Sequence, residues 1–314
     1  KDLFKNIVSK SDDLLKKLED AADVHKAYNT QLHLVRNWIN NENEKVIACD
    51  GVHGEKNDIN GKIEKLEAIL QNKPQGESHR EKLLSLHEKV IVNTSTKGKE
   101  ALLKESNDVK DKLDSLYTDA DNYLKNLKET LENWKQFDAN NDELKKWCKH
   151  LEALFKEIPQ KNSAEEKLEM LDNFKNHQEE IIQKETQFDQ LTDFSNVLIS
   201  KTGVEKVKIM NNQLINRYKL LTVLSKEVVN RLSNIYTDHD QYQQKYKEAS
   251  NELNMLEKQV KTISSSMDFK TTNREAIQSM NIEKDKVDSI INDLISLSEK
   301  VLPETGTSGR ELIR

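Results

Sequence analysis

Trp38 and Trp147 stand 109 residues apart (147 − 38) in matching surroundings, and a further step of 109 reaches Leu256, again inside an apolar stripe. A period slightly above one hundred is too long for solenoid units of roughly 20 to 50 residues, and about right for three long helices folded back on one another. Sliding the sequence by 109 brings Phe4, Ile7, Leu14, Leu15, Leu18, Tyr28 and Trp38 onto Leu113, Leu116, Tyr123, Leu124, Leu127, Phe137 and Trp147. The next step places Phe137, Leu144, Trp147 and Leu151 on Tyr246, Leu253, Leu256 and Val260. The chain is a tandem repeat, and Trp38, Trp147 and Leu256 are expected in the packed core of successive units.

The punctuation recurs as well. Gly98, Gly203 and Gly306 each close a Thr/Lys-rich break (TSTKG, SKTG, PETG), with spacings of 105 (203 − 98) and 103 (306 − 203), and are expected in interhelix loops. A second series of breaks falls near Asp50-Gly51, at Pro159 and near Asp268. Each unit therefore has two internal breaks and three segments. Gly98 and Gly203 suit the left-handed conformation that ends a helix or turns a loop. Ser163 after Pro159 reads as an N-cap, with Glu166 three residues on completing a capping box. Pro74, followed by Gly76, stands inside the second helix of the first unit and is expected to kink or interrupt it.

Between these breaks the helical period is sustained. From Lys99 to Ile158 there is neither Gly nor Pro, and Leu102, Val109, Leu113, Leu116, Ala120, Tyr123, Leu127, Leu131 and Trp134 recur in steps of three and four before Leu144, Trp147, Leu151, Leu154 and Ile158 continue the stripe. That is a heptad seam. Val204 to Leu302 is likewise free of Gly and Pro, with Val207, Met210, Leu214, Leu221, Leu224, Val228 and Leu232 opening the same alternation. The last helix of one unit thus runs into the first helix of the next; sixty such residues make a helix about 90 Å long. The expected architecture is all-α: tandem three-helix bundles joined by continuous helices into an elongated, semi-rigid rod.

Composition narrows the chemistry. Charged residues are 33% of the chain and aromatics 5%, with 8 Gly and 3 Pro in 314 residues, a profile of long charged helices. The net charge of −6 comes from 49 basic and 55 acidic residues mixed along the whole length, so no basic face stands out for nucleic acid. No run of 18 apolar residues is present to insert into a membrane, and the chain, opening on Lys1, is expected to be an internal piece of something longer. Cys49 and Cys148 differ in repeat register (148 − 49 = 99), so they read as small packing residues with free thiols, which suits a reducing, cytoplasmic compartment.

Sites for chemistry are weighed against packing. Leu302 to Gly306 spells LPETG, the pattern sortases cleave, but the hydrophobic stretch and basic tail such a signal needs do not follow through Arg314, and the position coincides with an expected loop. His25 and His33, and His79 and His87, are each eight apart on one helix face with no third ligand in register, so no metal is expected. Glu165-Glu166 and Glu179-Glu180 are helix-surface charges, because catalysis needs groups converging in a pocket and thin bundles offer little concavity. No cofactor and no enzymatic activity are expected.

Three-helix units of this length, with a Trp midway along the first helix at 38 and 147 and a third helix fused to the next first helix, resemble spectrin repeats over the whole chain. The stretches Leu70–Glu105 and Glu299–Arg314 resemble the junction between second and third helices in the giant nesprin-type, KASH-domain linkers, while Leu256 in place of Trp departs from the pattern. Registered on that family, residues 1–22 are the end of the last helix of a preceding repeat, 23–131 and 132–236 are repeats, and 237–314 is a repeat with its first two helices and the start of the third. This last, partial bundle is expected to leave an apolar groove and to be the least stable region. The resemblance implies a non-enzymatic cytoskeletal linker: a semi-flexible, force-bearing spacer and docking surface between the nuclear envelope and actin. Its partners would be cytoskeletal or nuclear-envelope proteins gripped by domains of the parent, at the cytoskeleton and outer nuclear membrane. A dedicated protein-binding module, or a laterally dimerising rod of the spectrin, dystonin or dystrophin type, is the alternative; the segment itself is expected to be monomeric or weakly self-associating.

Overall fold

The computed structural model describes residues 1–265 and 273–314. Among them are nine α-helices and no strand: α1 (Asp2–Ile47), α2 (Lys56–Gln71), α3 (Lys73–Val90), α4 (Thr96–Lys156), α5 (Ala164–Gln183), α6 (Glu185–Thr202), α7 (Lys206–Ser265), α8 (Asn273–Val301) and α9 (Thr307–Ile313). The all-α class follows from the heptad seams. The break expected near Asp268 lies outside the described residues.

The helices form two compact units, residues 1–139 with 193–209, and 140–192 with 210–314. In the first, Tyr28, Leu32, Val35, Ile39 and Val46 of α1 are buried, as are Ile59, Ile63, Leu66 and Ile69 of α2 and Val109, Leu113, Leu116 and Leu127 of α4. Those spacings of three and four keep one face of each helix on the seam. In the second, Leu144, Leu151 and Phe155 of α4, Leu171, Phe174 and Ile181 of α5 and Leu214, Leu221 and Leu232 of α7 are buried, with Phe155 and Phe174 edge to face at 5.1 Å. The two long helices, α4 with 61 residues and α7 with 60, each supply residues to both units without interruption.

Two pairs of consecutive helices are parted by a single residue, with different local sequences. Asn72 separates α2 from α3, with Pro74 in the first turn of α3, the interruption the sequence predicts at that proline. Lys184 separates α5 from α6 with no Pro or Gly at hand. At both points the chain tightens into an i→i+3 bond, Gln75 N–H to Asn72 C=O at 3.0 Å and Gln187 N–H to Lys184 C=O at 2.9 Å.

A tryptophan faces each break. Trp38 lies against the backbone of Gly76, where any side chain would collide with its ring, and its centroid is 6.1 Å from His79. Trp147 sits 6.1 Å from the Phe188 ring, with Lys184 Nζ 5.8 Å above it. The third site carries Leu256, and α8 runs from Asn273 to Val301 in one piece. A bulky indole on the first helix thus coincides with a broken second helix. The smaller leucine coincides with a continuous one.

The ends of the helices are set by local chemistry. Ser163 caps α5, its Oγ accepting from Glu166 N–H at 3.2 Å, and the Glu166 carboxylate accepts from the Asn162 N–H at 2.9 Å. The predicted cap forms, with the return bond landing one residue earlier than in the standard box. Gly203 follows α6 with φ +71, a conformation costly for any other residue. Gly98 instead lies inside the first turn of α4, where its bare Cα faces the Thr94 side chain, and Gly306 is the N-cap of α9. The counterpart of Gly98 is Gly309, 211 residues on (309 − 98), which meets Thr305 in the same way.

Candidate functional site

The residues singled out by register sit at intermediate depth. Trp38, Trp147 and Leu256 are each half-buried. Trp147 donates from Nε1 to Glu180 at 2.6 Å, a bond that holds the Glu180 carboxyl below the usual range. The tryptophan most fully enclosed is Trp134 on α4, 4% exposed. Of the histidines, His25 meets the Thr94 hydroxyl at 3.0 Å and His79 and His87 lie beside Trp38 and Tyr28; among the described residues no group of three or more His, Cys, Asp or Glu is gathered that would hold a metal. Cys49 and Cys148 are buried free thiols, and burial pushes the Cys148 thiol up to about 11.

What the fold does bring together is pairs of loops from distant parts of the chain. In the first unit, the loop between α1 and α2 meets the end of α6. Gly54, at φ +118, donates its N–H to the Thr202 carbonyl at 3.1 Å. Exposed ion pairs flank it, Lys206 with Glu55 at 3.6 Å and Lys201 with Glu129 at 3.1 Å. From α2, Lys62 donates to the carbonyls of Asp50 and Gly51 at 3.2 and 2.8 Å, supplying partners the open loop lacks.

In the second unit, the loop between α4 and α5 meets the turn Leu302–Glu304 and the start of α9. Lys161 and Thr305 form an isolated parallel bridge, and the Gly306 N–H donates to the Lys161 carbonyl at 3.0 Å. The Gly309 N–H donates to Asn162 Oδ1 at 3.2 Å, Gln160 to the Pro303 carbonyl at 2.9 Å, and Arg310 both to the Thr305 carbonyl at 2.6 Å and to Gln160 at 3.1 Å. Lys167 reaches Thr305 from below at 2.9 Å. Arg231 grips Glu304 through two bonds of 3.1 Å at the surface, where such pairs contribute little.

A threonine recurs at the centre of each loop. Thr94, Thr202 and Thr305 donate their hydroxyls to the carbonyl four residues earlier, Val90, Leu198 and Val301, at 2.6, 2.8 and 2.6 Å. Each thereby places a side-chain bond on a carbonyl of the last helical turn and ties the segment that follows to it. These two clasps escape a reading by period, because their bonds join residues 148 (202 − 54) and 145 (306 − 161) positions apart. One signal was present: Lys167 falls on the seam between Ala164, Met170 and Phe174, where a charge is out of place.

No family model matches the chain. Over all 314 residues it is 39% identical to Muscle-specific protein 300 kDa of Drosophila melanogaster, and it spans 2% of that protein's length. The likeness therefore takes in every helix and both clasps, and sets the chain beside one small part of a very long muscle protein.

Proposed function

We propose that this chain is a segment of a non-enzymatic cytoskeletal linker, a semi-flexible, force-bearing spacer whose helical repeats are coupled and whose outer faces dock proteins. The observation that carries the reading is the double fastening. In the repeat register 23–131, 132–236 and 237–314, preceded by 1–22, α4 and α7 are each the last helix of one repeat and the first of the next. Each clasp then joins the loop after the first helix of one repeat to the loop before the third helix of its neighbour. Tension along such a chain meets covalent helix and cross-loop hydrogen bonds together.

Other features support it. Among the described residues no helix is long and apolar enough to cross a membrane, so anchoring would fall to other parts of the parent. The similarity to a small fraction of a very large muscle protein suits a repeated spacer in a giant chain. By the nesprin-type resemblance, the parent would tie the nuclear envelope to actin. A fluorescence tension reporter inserted beside this segment in the parent tests the reading in muscle cells. A loaded signal that relaxes when actin is depolymerised is expected; a signal indifferent to actin removes the linker role.

A further inference from the structure

One charged side chain is buried at the second clasp that fastening alone does not require. Lys167 on α5 is 1% exposed, and its ammonium donates to Thr305 Oγ1 at 2.9 Å. Thr305 is wholly buried and donates its own hydroxyl hydrogen bond to the Val301 carbonyl. At the threonine of the first clasp, Thr202, the hydroxyl oxygen instead accepts from the Val204 N–H at 3.4 Å. Lys167 is thus a feature of this clasp, and its bond is made to a residue 138 positions away.

A second buried group borders the same clasp. His239 of α7 is 6% exposed, and its Nδ1 has no hydrogen-bond partner. Its ring lies 6.2 Å from that of Tyr242. The charges facing this pair are Glu165 on α5, Asp238 on α7, Glu304 on the turn Leu302–Glu304, and Arg310 on α9, which is bonded to the Thr305 carbonyl. His239, Gly309 and Ile313 line one small cavity with Asn162 and Ala164, so the imidazole borders the segment the clasp holds down.

We propose that Lys167 and His239 form an acid-sensitive catch: while His239 is neutral the Lys167–Thr305 bond holds residues 302–313 to the loop 159–163, and a proton on His239 releases them. Two cations in a site this dry lack the water that would solvate them, and opening the clasp restores it. Burial first, and then the Lys167 ammonium, push His239 down to about 4, against the opposing pull of Glu165. In the opened clasp the imidazole returns toward its ordinary value near 6.5. The open state therefore takes up the proton first, and closure weakens as pH falls from about 6.5 toward 4. Burial likewise pushes Lys167 down to about 8 despite Glu304 and Asp238, so closure strengthens as pH rises from about 8 to 10.5. Both gradients run the same way.

The inference rests on the clasp geometry and stands whether or not the chain carries force. Its test is hydrogen exchange in the full chain, corrected for intrinsic rates, at the Gly306 and Gly309 amides, with the Gly54 amide of the first clasp as internal control. Between pH 6.5 and 4.5 the Gly306 and Gly309 protection factors are expected to fall about ten- to hundred-fold more than that of Gly54. H239Q, which cannot take the proton, is expected to flatten that excess. In K167M the His239 imidazole, followed by NMR, is expected to titrate at higher pH than in the parent. Each variant is compared with itself across pH, so a change in basal stability does not decide the outcome. A flat wild-type profile, or an H239Q profile that keeps the wild-type drop, overturns the catch.

Discussion

Trp134, 4% exposed on α4, is the most deeply buried of the tryptophans. Trp134→Ala is expected to cost about 3–5 kcal/mol in urea unfolding, and Trp38→Ala less, because Trp38 is only partly buried. Gly203→Ala is expected to cost about 1 kcal/mol or more through its φ of +71. Cys148 gives a pH-dependent check. Its folded thiol titrates at about 11 against an ordinary value near 9, so the unfolded chain loses its proton first and stability is lost as pH rises from about 9 to 11. At pH 8 the native chain is expected to resist thiol labelling at Cys148, and rapid labelling there contradicts its burial. The spacing of Trp38 and Trp147 identifies a face of the helix and says nothing of depth, which depends on what stands opposite. Lys167 shows the converse, since its seam position was visible but its partner Thr305 was not.

At the scale of the element, the tryptophan on the first helix and the break in the second belong together. Trp147→Leu, which copies the third site, is expected to let α5 and α6 join through Lys184. The amides of residues 185–188 should then gain at least about tenfold in exchange protection, whereas unchanged protection would separate the break from the indole. The long helices were legible in sequence because Gly and Pro are missing from 99–158 and the apolar period is unbroken. The cap at Ser163 was legible because it is local chemistry. The break at Lys184 was not, since nothing in its own sequence marks it and its correlate lies 37 residues away on another helix (184 − 147). Pro74 pointed to the right place at Asn72 for a reason that only one of the two breaks shares.

For the whole molecule, stability is expected to be uneven. Tyr246 is 54% exposed where its register counterpart Tyr28 is 0%, and Leu253, Val260, Ile277 and Ile282 are exposed as well. Limited proteolysis is therefore expected to cut 237–314 before 132–236; equal resistance would show that these apolar faces do not weaken the packing around them. The central claim is that neighbouring repeats are fastened twice, by shared helices and by clasps, so that they yield together. Pro at Asn140, an exposed position inside α4, removes a helical bond and clashes with the preceding turn, at about 3 kcal/mol. Pulling the chain between residues 1 and 314 in an optical trap tests the claim most directly. One repeat of 109 residues releases about 390 Å of extended chain. The wild-type chain is expected to show steps well beyond that length, which Asn140→Pro reduces to single-repeat steps. Wild-type steps that never exceed one repeat, with Asn140→Pro indistinguishable, would contradict it.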